Sequence, residues 1–245
     1  VNWVTYVANS LWGLWAWLCF AVACLFSLVV AILVPGEHRR QKLVTFASKM
    51  VFALAGVKVT VRGIDNLPTD SCVVVANHAS YIDGPLLNGY LPARFGFVIK
   101  GEMRDIPVVH FLLRRSGCKF VERKEMTGST RDARQLVKAA QEGESLGFFP
   151  EGTFLLERGV GRFRAGAFVA AIKGGMPVVP VAISGAREMM PSGRLMPRKS
   201  GLVIEVLPAI APGDDEYASS RKLAEASRQR IITAIGEPDL LADRT

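Results

Sequence analysis

The chain opens on residues 11–34, a run of 24 positions without a charge, and only afterwards settles into short apolar runs separated by periodic polar stretches. As a helix rising ~1.5 Å per residue that run would be roughly 36 Å long, enough for the ~30 Å hydrocarbon core of a bilayer. Residues 41–55 carry Leu43, Phe46, Ala47, Met50, Val51 and Leu54 at helical spacing, which predicts an amphipathic helix. Residues 57–63 alternate as a half-buried strand does, and 72–77 form a continuous apolar run ended by Asn, the pattern of a strand covered on both faces. Further strands are predicted at 95–100, 118–123, 146–150, 178–183 and 202–207, with helices at 81–90, 107–115, 129–142, 164–173 and 220–235. Strands and helices in near alternation predict an α/β fold with a mixed, largely parallel sheet flanked by helices. The division expected is an N-terminal membrane anchor over 1–56 and a single domain carrying the chemistry over 57–245.

The flanks of the apolar run bear on how it meets a membrane. Trp3, Trp12, Trp15 and Trp17 crowd one end, and His38, Arg39, Arg40 and Lys42 follow the other. Indoles favour the headgroup level and the basic cluster favours the cytoplasmic side, so the remainder of the chain is expected in the cytoplasm, as for a bacterial-type inner-membrane protein. A cleaved signal peptide is not expected, because residues 1–10 are uncharged and Pro35 and Gly36 follow the run. Two readings stay open: a helix that spans the bilayer, and one that enters a single leaflet and returns through residues 41–55.

With 245 residues, half of them hydrophobic and 21% charged, the chain can bury a core and is not of disordered composition. A formal charge of +8 implies an anionic partner. Nucleic acid is not that partner by this reading, since no helix-turn-helix, zinc-finger or aromatic RNA-binding signature accompanies the basic residues. Cys19, Cys24, Cys72 and Cys118 show neither C-x-x-C nor metal-ligand spacing and read as small buried hydrophobes. Arg221, Lys222, Arg228 and Arg230 near the C-terminus read by default as a solvated helix face.

In α/β folds chemistry gathers where loops leave the carboxyl ends of strands. One such place is NHASYID, with Asn77, His78 and Asp83. If Ser80 caps the following helix, His78 lies in the loop before it and Asp83 in its first turn, able to reach back to the imidazole. A His oriented by a carboxylate is a general base; the same residues also fit a plain capping box, and the two readings are compatible. A second place is FFPEGT, where Glu151, Gly152 and Thr153 follow an apolar strand, with Arg158, Arg162 and Arg164 close behind. The third is Arg123, at the end of a predicted strand, where a guanidinium can grip a phosphate through two bonds. Gly143, Ser145 and Gly147 spell the esterase pattern G-x-S-x-G, but a helix precedes Ser145 and a strand follows it, and no His comes after it. His110, in register with Ile106 and Leu113, reads as a core or interface residue.

Taken together, these segments resemble the glycerolipid acyltransferase family that includes the 1-acyl-glycerol-3-phosphate acyltransferases. The matching motifs are N-H-x-x-x-x-D at Asn77, His78 and Asp83, G-x-x-F-[IV]-x-R at Gly117, Phe120 and Arg123, F-P-E-G-T at 149–153, and V-P-V-x-[IV]-x-G at 179–185. Glu122 stands where the family usually has Asp, and Arg164 where Lys is common. The resemblance implies an acyltransferase-type α/β fold and direct acyl transfer from acyl-ACP or acyl-CoA to a lysophospholipid at the bilayer, with lysophosphatidic acid the first candidate acceptor. It implies His78 as base, Asp83 as its orienting partner, Arg123 as phosphate ligand, and Asn77, Glu151, Gly152, Thr153 and Arg164 around the substrate. It implies no metal or organic cofactor.

Overall fold

The computed structural model describes residues 3–121, 126–153 and 157–242. Seven strands form one sheet in the order β1 (Val59–Arg62), β7 (Leu202–Val206), β6 (Val178–Ser184), β2 (Val73–Ala76), β5 (Leu146–Phe148), β3 (Gly96–Lys100), β4 (Lys119–Val121). Every neighbouring pair is parallel except β6 with β7. All seven strands and the five helices foreseen beyond residue 56 are present, with shifts of a few residues at their ends.

Successive residues of a strand point to opposite faces, so Val73 and Val75 of β2 enter one core while Val74 and Ala76 enter the other. The first core is closed by α5 (Met126–Gln141), α6 (Gly166–Gly174) and α8 (Ser220–Ile235), through Leu136, Phe168, Leu223 and Ile231. The opposite core is closed by α2 (Glu37–Leu54), α3 (Asp83–Tyr90) and the short α7 (Ala186–Met189), through Phe52, Leu86, Leu87 and Met189. Burial on both faces explains why the central strands read as continuous apolar runs.

Helix α1 (Trp3–Leu33) is long and apolar enough to cross a membrane. It turns at Pro35 and Gly36 into α2, which packs back along it. Gly13, Ala16, Cys19, Ser27 and Ala31 give α1 an inner face of small residues, whereas Leu11, Leu14, Leu18, Val22, Leu25, Val29 and Ile32 are exposed on the other. The indoles are engaged within the protein: Trp12, Trp15 and Trp17 donate Nε1–H to the carbonyls of Ala55, Leu54 and Leu195 at 2.8, 2.9 and 2.9 Å. At the far end Arg115, ending α4 (Pro107–Arg115), donates to Ala31 O, and Arg40 donates to Val34 O and Arg115 O. These arginines satisfy carbonyls that the end of a helix leaves without intrahelical partners. Arg40, expected among the membrane-flanking basic residues, is therefore buried inside the fold.

One other expectation changes and one holds. Arg228 is no part of a solvated face, being 1% exposed, although its neighbour Arg230 does sit near the surface, paired with Glu216. His110 stacks edge-on against Phe120 with ring centroids 5.0 Å apart, in keeping with its place on the apolar face of α4.

Candidate active site

The carboxyl ends of β6, β2 and β5 lie side by side, and the chain leaving β2 places Asn77 and His78 between its two neighbours. The resemblance puts Asn77 around the substrate; in the structure its carboxamide is taken up by the backbone of β6. Its Nδ2 donates to Ile183 O at 2.9 Å, and its Oδ1 accepts from Ile183 N at 2.8 Å. It prolongs the β2–β6 pairing by one side chain and so fixes where the backbone turns toward His78.

Asp83 is the first residue of α3 and is 0% exposed. Its Oδ2 lies 2.9 Å from His78 Nδ1 and accepts the N–H groups of Ala79 and Ser80 at 2.7 and 2.8 Å. One carboxylate oxygen thus folds the His78–Asp83 loop around itself. With two amide donors on it, that oxygen is an acceptor and Nδ1–H is the donor, which assigns the lone pair of neutral His78 to Nε2. The capping expectation is half right. Asp83 reaches back to Ser80 N, but Ser80 Oγ donates to Met190 O at 2.6 Å, and Ile82 occupies the cap position without a side-chain cap bond. The hydroxyl ties the loop to the segment after α7.

Glu151 lies in the turn three residues beyond β5, in the F-P-E-G-T segment. Its Oε1 accepts His78 N–H at 2.8 Å and its Oε2 accepts Gly161 N–H at 2.9 Å. Burial pushes its carboxyl above the usual range, against the pull of these two bonds and of the charges on His78 and Arg187. Phe149, two residues earlier, stacks on the imidazole with centroids 4.4 Å apart and planes 25° from parallel. The His78 ring is therefore held by Asp83 at one nitrogen and by Phe149 on one face, and its backbone by Glu151.

Gly152 has φ +81°, in the left-handed region where a side chain would be strained, and its N–H donates to Phe149 O in a tight turn. Thr153 and Arg164 are exposed beside this turn, Arg164 through a backbone N–H bond to Pro150 O. Arg123 lies outside the described residues. Sequence reasoning included Phe149 in the F-P-E-G-T motif without giving it a role, and missed Gly161, which carried no signal.

The alternative nucleophiles are poorly placed. Ser145 is buried between α5 and β5, where its Oγ accepts from Cys72 N. Burial pushes the Cys72 thiol up to about 11 and that of Cys118 up to about 12, so neither is a thiolate near neutrality. No cluster of side chains that would hold a metal ion occurs among the described residues.

Comparison with known proteins agrees with this geometry. The family model described as Acyltransferase matches residues 58–184, more than half of the chain. A 1-acyl-sn-glycerol-3-phosphate acyltransferase of Chlamydomonas reinhardtii is 29% identical over 237 residues, covering 94% of this chain and 70% of that protein. A lyso-ornithine lipid O-acyltransferase of Pseudomonas aeruginosa is 30% identical over 211 residues, covering 79% of this chain and 80% of that protein. The crystal structure of the 1-acyl-sn-glycerophosphate acyltransferase of Thermotoga maritima superposes with a TM-score of 0.78 at 26% identity, covering 94% of this chain and 96% of that one. Motif order, fold and matched span all agree: the chain belongs to the acyltransferase family and is an acyltransferase.

Proposed function

We propose that the protein transfers a fatty acyl group from acyl-ACP or acyl-CoA to the sn-2 hydroxyl of lysophosphatidic acid, giving phosphatidic acid. The observation that carries this reading is the His78–Asp83 pair, 2.9 Å apart on the loop leaving β2 in a chain of the acyltransferase family. His78 Nε2 takes the acceptor's hydroxyl proton while the oxygen attacks the thioester carbonyl carbon. The carbon–sulfur bond then breaks, and the departing thiolate takes the proton back from the imidazolium, whose charge Asp83 stabilises. No acyl-enzyme forms, consistent with the burial of Ser145 and Cys72. General-base assistance of this kind is worth ~10²- to 10⁴-fold in rate.

Arg123 is assigned to the acceptor phosphate by family resemblance, and Gly152, Thr153 and Arg164 to the rim of the acceptor site. An apolar cleft lined by Trp12, Phe20, Val51, Phe52, Ile82 and Met190 lies between the helical hairpin and the start of α3, and suits acyl chains arriving from a bilayer. Residues 1–56 act as the membrane element and 57–245 as the catalytic domain, which faces the cytoplasm. Midway along α1, Trp17 is fastened to Leu195, and near its C-terminal end Ala31 is fastened to Arg115, both partners in that domain. A helix whose C-terminal half is held against that domain favours insertion into one leaflet, with the site at the membrane surface.

The P. aeruginosa relative supports a second acceptor, a lyso-ornithine lipid. The test is acyl transfer by detergent-solubilised protein to lysophosphatidic acid, lyso-ornithine lipid, lysophosphatidylethanolamine and glycerol 3-phosphate, with each thioester donor. Preferred transfer to lysophosphatidic acid is expected. Transfer confined to another acceptor overturns the substrate and keeps the chemistry.

A further inference from the structure

Arg228 lies on α8, well beyond the last family motif, and is almost wholly enclosed. Its Nε donates to Gly161 O at 2.9 Å and its Nη2 to Val160 O at 3.2 Å. The Asp239 carboxylate closes on the same guanidinium, with Nη1 3.1 Å from Oδ2 and Nη2 against Oδ1. These bonds hold the Asp239 carboxyl down at about 2. A buried arginine is costly unless its donors are matched, and here two carbonyls, the Asp239 carboxylate and, at 3.3 Å from Nη1, Glu225 Oε1 match them.

The stretch so gripped has no helix or strand of its own beyond a single bridge from Val160 to Asp239. The chain after α8 brackets it: Gly159 N–H donates to Glu237 Oε2 at 3.1 Å, Val160 N–H to Pro238 O at 3.0 Å, and Leu240 N–H to Val160 O at 3.3 Å. Contact is close enough that a Cβ on Gly159 would lie 2.6 Å from Pro238 O. The next N–H along, that of Gly161, holds Glu151 Oε2, while Glu151 Oε1 holds His78 N–H.

We infer that Arg228, clamped by Asp239, is a positioning residue for acyl transfer: it fixes residues 160–161, whose Gly161 N–H orients Glu151, which in turn sets the backbone at His78. The inference rests on His78 being the base, and it adds a part of the chain that none of the family motifs includes. Arg228 touches neither imidazole nor substrate. Its effect is on where His78 stands, and a displacement near 1 Å can cost about 10²-fold in rate.

The test compares wild type with Arg228→Met and Arg228→Lys, each confirmed folded by thermal melting below which kcat, KM and the pH–rate profile are measured. Arg228→Met is expected to lower kcat about 10- to 100-fold with little change in KM. Its acid limb should move to higher pH, because Glu151 loses the Gly161 donor that holds its carboxyl down while the His78 and Arg187 charges facing it remain. Arg228→Lys should recover part of the rate, since an ammonium keeps the pairing with Asp239 but not the fork to both carbonyls. A folded Arg228→Met protein with wild-type kcat and acid limb overturns the inference. If that variant does not fold, the same result from folded Arg228→Lys overturns it. Full activity in His78→Ala would instead remove the reading of the base, so the two failures are distinguishable.

Discussion

Glu151 shows how much of the site depends on backbone groups. Both of its oxygens accept N–H bonds, so Glu151→Gln must turn an amide donor toward one of them and lose a bond, leaving a buried group unpaired at a cost of ~1–3 kcal/mol. Reduced kcat with retained fold is expected, measured by the same transfer assay. The pH dependence carries a sign. Burial raises the Glu151 carboxyl above its ordinary value of 4.5, so its ionised form counts against folding above the raised value, and that cost is relieved as pH falls through it. Activity falls over the same window, because a protonated Glu151 carboxyl accepts the His78 and Gly161 N–H groups less well. Melting temperature against pH, wild type compared with Glu151→Gln, should show this opposite trend. The His78–Asp83 pair was legible because five positions across a loop into a first helical turn bring the two together. Glu151's partners were not, since backbone N–H groups leave no trace in residue type. Arg228 was legible in principle: it shares a helical face with Leu223, Ala224, Ser227 and Ile231, all buried, and an arginine on an apolar stripe points inward to a partner.

The elements were read well from hydrophobic periodicity, and their ends less so. β2 and β6 stood out as apolar runs because helices cover both of their faces, whereas α7 was missed because four residues are too few to show a period. The packing of α2 on α3 was invisible in the sequence. It depends on Gly89, where a Cβ would lie 2.7 Å from Lys49 N on the facing helix, and on the Asn88–Ser48 side-chain bond of 2.9 Å. Gly89→Ala sets two effects in opposition. Helix propensity favours Ala by ~1 kcal/mol, while pushing two helix backbones apart costs ~1–3 kcal/mol. Net destabilisation is expected, read as a lower melting temperature than wild type. Because α3 begins at Asp83, looser packing there should also reduce activity.

For the whole molecule, the charge pattern and the apolar run pointed to a membrane, and the exposed stripe on α1 agrees, with Val22, Leu25 and Val29 facing outward. The sequence places the tryptophans at the headgroups, yet three of their N–H groups are spent on the carbonyls of Leu54 and Ala55 at the end of α2 and of Leu195. A helix's full set of tertiary bonds cannot be read from its own sequence. The variant Val22→Asp with Val29→Asp leaves the inner face untouched and should weaken co-flotation with anionic lipid vesicles while the detergent-solubilised protein keeps its melting temperature. Unchanged flotation would remove α1 from the membrane contact. The central claim is that His78 is the base for direct acyl transfer. It is tested most directly by the rate of transfer from a thioester donor to lysophosphatidic acid by wild type and by folded His78→Ala. The account predicts a loss of about 10²- to 10⁴-fold in kcat; a His78→Ala protein that transfers acyl groups at the wild-type rate would contradict it.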